Sequence, residues 1–178
     1  MELLQEIQKV NKNIVLVVMS GRPLDLSWED QNIPAIVQAW HLGSKSGDAI
    51  AQVLYGDYNP SGKLTMSFPR NVGQVPVYYN FKNTGRPSTS IEQVTNSGYA
   101  DIENSPLYSF GYGLSYTNFS YSDLKISSDS MTKNSKINAS VIVSNTGIYK
   151  GEEVVQLYLR DIVAVSYTHL TLPTTPYV

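Results

Sequence analysis

Ile14-Val15-Leu16-Val17-Val18-Met19 is an unbroken apolar run, mostly β-branched, and it decides the fold class. A strand with one face in water alternates apolar and polar residues, whereas a continuous run fits a strand covered on both faces, as in a parallel sheet. Downstream, Ser20-Gly21-Arg22-Pro23 ends the run and opens a loop that reaches Pro34. Residues 35–40 are apolar again and predict a second buried strand. Upstream, Leu3, Leu4, Ile7 and Val10 share one helical face, with Glu2, Glu6 and Lys9 elsewhere, so the opening predicts an amphipathic helix broken by Asn11 and Asn13. Beyond the second strand, Ser44 or Ser46 can cap a helix whose inner face is Ala49, Ile50, Val53 and Leu54. Asp48 stands near that helix's positive end and Gly56 supplies its stop. After the turn formers of residues 57–62, residues 63–68 alternate as an edge strand would. The order helix, strand, strand, helix, strand predicts an open α/β arrangement that begins in mid-fold, because doubly wound sheets carry more strands than this.

Residues 69–107 loosen into Pro, Gly, Asn, Ser and Thr, with one apolar patch at Val75-Pro76-Val77-Tyr78-Tyr79. A connection of that length in a compact protein calls for a functional reading beside the bland one. After Phe110-Gly111-Tyr112-Gly113-Leu114-Ser115-Tyr116 the period changes to two. Residues 119–126, 136–144 and 153–159 predict antiparallel strands, with Asn145-Thr146-Gly147 turning between the last two. These begin a β-sandwich. A fibronectin-type sandwich has about seven strands, so three leave open edges and an uncovered face.

Composition excludes some partners and leaves others open. A net charge of −2 without clustered Lys or Arg gives nucleic acid or an acidic membrane surface nothing to hold. The chain has no cysteine, which rules out disulfides and thiolate metal sites, and His41 and His169 lack ligand spacing. No metal is expected. Glu2 and Glu6 interrupt the opening residues, so no signal peptide is read there, and no apolar run approaches the roughly 20 residues that span a bilayer. The 13 Tyr, in a chain with 16% charged residues, suit carbohydrate-facing loops and Tyr-rich sandwiches equally.

Several strings in fixed order then resemble glycoside hydrolase family 3, in its multi-domain β-glucosidase and β-xylosidase branch. They are Ser20-Gly21-Arg22-Pro23-Leu24, Leu54-Tyr55-Gly56-Asp57-Tyr58-Asn59-Pro60-Ser61-Gly62-Lys63-Leu64, Phe68-Pro69-Arg70, Gly73-Gln74-Val75-Pro76-Val77-Tyr78-Tyr79-Asn80, Thr84-Gly85-Arg86-Pro87, and Gly151-Glu152-Glu153-Val154-Val155-Gln156-Leu157-Tyr158. The resemblance runs from residue 3 to about residue 164. It implies that residues 1–110 are the C-terminal part of an α/β sandwich domain with a long connecting segment, and residues 111–164 an incomplete fibronectin type III-like domain. Residues 165–178 match nothing expected and read as a non-native tail. In such enzymes an N-terminal barrel carries an Asp nucleophile and the α/β sandwich domain a Glu acid/base. Both are expected outside this chain, so neither Glu2 nor Glu6 inherits a catalytic role and the chain should not turn over substrate alone. The implied parent is a periplasmic or secreted retaining β-glycosidase acting on terminal non-reducing β-linked sugars. Its substrate, an oligosaccharide or glycoside, is bound through the barrel, and its two carboxylates need no cofactor.

The substrate-binding candidates are Arg86, Tyr79 and Arg22. Arg22 follows the first strand, where open α/β sheets gather ligand loops, although pairing with Asp25 or Asp57 is the ordinary role for such an arginine. Arg86, with Tyr78, Tyr79 and Asn80, can line the outer part of a sugar cleft. Asp101, Glu103 and Glu92 read as solvated loop charges, and the acceptor strings at Asn118 and Asn138 as ordinary strand residues. Two alternatives stay open. One is a non-catalytic carbohydrate-binding or interaction module. The other is a flavodoxin-like domain, disfavoured because no phosphate-cradling glycine loop follows the first strand.

Overall fold

The computed structural model describes residues 2–81, 98–130, 132 and 135–159. Helix α1 (Glu2–Val10) leads into strand β1 (Val15–Val18), helix α2 (Ser27–Asn32), strand β2 (Ala35–Gln38) and helix α3 (Ser46–Tyr55). A 3₁₀ turn at Val72–Gln74 follows, then strands β3 (Phe119–Ile126) and β4 (Ala139–Asn145). The chain is therefore of mixed helix and strand content. β1 and β2 pair in parallel, Val15 opposite Ala35 through Val18 opposite Gln38, as the two apolar runs predict. β3 and β4 pair antiparallel from Phe119–Asn145 to Ile126–Ala139, with an irregularity between Ser122 and Lys125.

The core lies at the C-terminal end of β1. Val18, Leu26 and Phe68 are buried together, and Leu16, Leu24, Ile36, Trp40, Leu64, Leu107 and Tyr108 pack around them. Phe68 is only 1% exposed and meets Trp40 and Tyr108 edge-on, with ring centroids 5.9 and 6.1 Å away. Such T-shaped contacts set the positive edge of one ring against the negative face of another. Coverage of β1 on both faces holds only at this end, because Val15 is 51% exposed while Val18 is 8% exposed.

Several local expectations need correction. α3 ends as predicted, with Gly56 in the left-handed region at φ 82° and its N–H donating to Val53 O. It begins differently, because Ser46 is its first residue and Lys45 holds the cap position without a side-chain bond, while Asp48 stands in the first turn as predicted. The loop expected before Pro34 contains α2, whose entry is fixed by the Asp25 carboxylate accepting from Ser27 N–H at 3.0 Å. Residues 63–68 form no edge strand. Leu64 and Phe68 bond to Tyr112 and Tyr108, but Gly111, at φ 80°, takes its own N–H to Leu64 O and turns the partner segment away, leaving one isolated bridge at Phe68–Tyr108. The third antiparallel strand, over residues 153–159, is also absent. Its side chains go to other segments, Gln156 donating to Gly111 O at 2.9 Å and Glu153 pairing with Lys63 at 3.3 Å.

The segments before and after residue 110 are sewn together at Asn59. Its Oδ1 accepts from Ser115 Oγ at 3.0 Å and from Tyr116 N–H at 2.8 Å, and its Nδ2 donates toward Lys150 O. Gly113 passes so close to the same turn that a Cβ there would stand 2.5 Å from Gly62 O.

Candidate functional site

A groove of about 630 Å³ lies between the β1–α2 segment and the connection that follows residue 68. Arg22 enters it from the turn after β1. Ser20 Oγ donates to Arg22 O at 2.9 Å and accepts from Gln38 Nε2 at 3.2 Å, so the side chain of β2 holds the turn that ends β1. Gly21 permits this arrangement, because a Cβ there would come within 2.7 Å of His41 Nε2. Among the described residues Arg22 makes no ion pair, with Asp25, Asp57 or any other acid, so the pairing weighed for it is not formed there.

The opposite wall hangs on Gln74, which is 2% exposed. Its Oε1 accepts from Arg70 N–H at 2.6 Å, its Nε2 donates to Glu103 O at 2.7 Å, and its backbone carbonyl accepts from Tyr99 OH at 3.3 Å. A buried amide with its polar atoms bonded is rigid. Arg70 strengthens it by pairing with Glu103 at 3.0 Å and donating to Ser105 O at 3.1 Å. Val72 and Val75 are thereby presented to the groove, and the cis Val75–Pro76 peptide leads on to Tyr78, Tyr79 and Asn80. Tyr79 stacks on Phe110 with centroids 4.3 Å apart and planes 22° from parallel.

The groove thus brings Arg22 and Tyr79 together, two residues expected to touch substrate, with Tyr78 and Asn80 beside them. Arg86 and Glu92 lie outside the described residues. Glu103 serves Arg70, and Asp101 does not line the groove. Sequence reasoning missed Asp25, Met66 and Val72 as lining residues and Gln74 as the support. A glutamine in a Gly-Pro-rich connection carries no periodic signal, so only its burial identifies it. Among the described residues no cluster of three or more His, Asp or Glu could hold a metal ion.

A shallower pocket of about 420 Å³ lies around Lys63, Tyr121, Glu153, Gln156 and Tyr158. Its polar groups already satisfy one another: Glu153 takes the Lys63 ion pair and a bond from Tyr121 OH at 2.9 Å, and Lys63 also donates to Gly113 O at 2.8 Å. Burial, reinforced by the bond to Glu153, pushes the Tyr121 phenol up to about 12. Burial raises Tyr158 as well, with the neighbouring Tyr79 adding to it. Tyr108 is raised in the core, first by burial and then by its hydrogen bond to Asp30. These phenols stay protonated and act as donors, so this pocket is a fastening between segments.

The chain as a whole is similar to known proteins. The model of the glycosyl hydrolase family 3 C-terminal domain matches residues 1–116. The periplasmic β-glucosidase of Salmonella typhimurium is 52% identical over 164 residues, covering 92% of this chain and 21% of that protein. A β-xylosidase of Formosa agariphila is 44% identical over 164 residues, covering 90% and 21%. The crystal structure of a β-glucosidase from Listeria innocua in complex with glucose superimposes with a TM-score of 0.84 at 36% identity, covering 98% of this chain and 26% of that one. The chain thus spans about a fifth of the length of the curated relatives it matches.

Proposed function

The chain belongs to glycoside hydrolase family 3, and from that premise we propose that it is the scaffold and cleft-rim portion of a retaining β-glycosidase acting on terminal non-reducing β-linked sugars. In this reading residues 1–110 are part of an α/β sandwich domain, residues 111–164 part of a fibronectin type III-like domain, and residues 165–178 foreign to both. The parallel β1–β2 pair and the antiparallel β3–β4 pair, each with an unfilled edge among the described residues, are what two such interrupted layers would leave. The names of the relatives, β-glucosidase and β-xylosidase, support a β-linked glycoside as substrate. The Salmonella relative's name supports a periplasmic or secreted parent.

One observation carries the assignment of this portion to the rim: Arg22 and Tyr79, some 57 residues apart in sequence, line a single groove in which Asp25 is the one carboxylate among the described residues. Retaining hydrolysis uses two carboxyl groups about 5–5.5 Å apart, one as nucleophile and one as acid/base. Among the described residues the groove offers a binding surface and no such pair. Arg86 extends the same rim in this proposal. The test is turnover of an aryl β-glucoside by the purified 178-residue chain. No activity above the uncatalysed rate is expected, and activity abolished by neutralising one of the chain's own acids would overturn the proposal.

A further inference from the structure

We propose that Gln156, from the segment after residue 110, is a positioning residue for the groove: it fixes the Phe110 ring on which Tyr79 stacks, so the second segment governs an aromatic wall built by the first. The geometry stands on its own, and only its consequence for substrate rests on the reading of Tyr79 as a rim residue. Among the described residues Phe110 alone lines both the groove and the shallower pocket around Lys63 and Glu153. Its ring lies 4.3 Å from that of Tyr79 and 22° from parallel. The backbone that bears this ring is held from two sides. From the first segment, Ser67 Oγ accepts from Phe110 N–H at 3.2 Å and Leu64 O accepts from Gly111 N–H at 2.7 Å. From the second, Gln156 Nε2 donates to Gly111 O at 2.9 Å.

The third bond matters because of where it acts. Gly111 sits at φ 80°, a region open to glycine, and glycine is also the residue with the most freedom to leave it. A Cβ there would collide with Gln156 Oε1 and stand 2.7 Å from the Tyr158 hydroxyl, so the bare glycine lets both side chains close on the backbone beside Phe110. Gln156 Oε1 in turn accepts from Tyr158 OH, and Tyr158 is a neighbour of Tyr79. Two routes therefore run from one amide to Tyr79, through Gly111 and Phe110 and through Tyr158. An amide suits this place because it donates on one side and accepts on the other. An ionised carboxylate of the same shape only accepts and would oppose Gly111 O, whereas the protonated acid donates again.

Aromatic NMR of the 178-residue chain tests this, with the Tyr79 ring signal assigned by its loss in Tyr79→Phe. Stacking on Phe110 should displace that signal upfield, and Phe110→Leu should remove the displacement. Gln156→Leu should remove most of it at every pH. Gln156→Glu should remove it at pH about 7 and regain it as pH falls through about 4–5, where a glutamic acid takes up its proton. Lys63, Glu153, Tyr112, Tyr121 and Tyr158 are the charged and titratable groups that line the pocket with Gln156, and the unaltered chain titrated alongside subtracts their contribution. Methyl signals of the buried Val18 and Leu26 should stay in place throughout. A displacement that survives Phe110→Leu, or a Tyr79 signal unmoved in both Gln156 variants, would overturn the positioning role. So would a loss in Gln156→Glu that acid does not reverse, or core methyl signals that move with it, since either makes Gln156 a general support of the fold. The rim reading is judged separately, by the turnover assay.

Discussion

Replacing Phe68 by alanine tests the core on which the groove is built. The ring is 1% exposed and edge-on to Trp40 and Tyr108. Truncating a buried phenylalanine costs about 3–5 kcal/mol, of which each aromatic contact accounts for about 0.5–1.5 kcal/mol. Five apolar residues are buried among those described, Val18, Leu26, Ile33, Ala39 and Phe68, and of these Phe68 is the most completely enclosed, so little packing elsewhere compensates. Against a domain stability of about 5–15 kcal/mol the loss is about a fifth or more. Phe68→Leu keeps most of the volume and forfeits the ring contacts, which sets its cost at about 1–2 kcal/mol. Urea unfolding followed by tryptophan fluorescence measures both variants, since Trp40 lies against the substituted ring. An alanine variant within about 1 kcal/mol of the unaltered chain, or no less stable than the leucine variant, would refute the central role given to this ring.

The remaining predictions concern the fastenings. Lys63 and Glu153 have side chains 14% exposed, so Lys63→Met strands a buried carboxylate and should cost about 3 kcal/mol, much of it regained by adding Glu153→Gln; additive melting shifts would refute the coupling. The Tyr121 phenol is raised from the usual value of about 10 to about 12, so its stabilising contribution is whole below pH about 10 and is lost as pH climbs through about 12. Ultraviolet titration should lose one late-ionising tyrosine in Tyr121→Phe, and Glu153→Gln should make that tyrosine ionise earlier. A Cβ on Gly113 would meet Gly62 O at 2.5 Å, so Gly113→Ala should cost about 1–3 kcal/mol. Gly47, inside α3 with nothing within 4 Å, should gain about 0.5–1 kcal/mol on the same change; melting temperatures moving in the same direction would contradict the comparison.

Elements whose signal is local were legible in the sequence. The apolar face of α1, the β-branched run of β1, the Gly56 stop of α3 and the period-two alternation of β3 each state their own conformation, and each forms. Elements whose state depends on a distant partner were not. Residues 63–68 and 153–159 alternate like strands, yet their hydrogen bonds go to Tyr108, Gly111, Tyr112 and Gly113, so the ladder is replaced by a knot of side chains and turns. α2 was hidden for the opposite reason: Ser27-Trp28-Glu29-Asp30 has too few residues to show a period, and Asp25 fixes its entry. The candidate site divides the same way. Arg22 was readable because it follows a buried strand, whereas Gln74 acts through burial that no local pattern encodes.

The unsatisfied groups show what kind of surroundings these residues are built for. Glu29 is 7% exposed, and its Oε2 has no hydrogen-bond partner among the described residues; the same is true of Gln38 Oε1, beside the turn that aims Arg22. A buried acceptor left without a donor carries its full desolvation penalty, so it persists in a stable fold only where something completes it. The half-bare start of β1 makes the same demand on its apolar side, as do the exposed Leu3 and Val10 of α1. Polar and apolar deficits therefore gather around the β1–β2 pair, while the fastening at Lys63, Glu153 and Tyr121 is complete in itself. Among the described residues the contact with the antiparallel pair is therefore the satisfied side of this layer, and the parallel pair, beside the strand ends from which Arg22 reaches the groove, is the unsatisfied one.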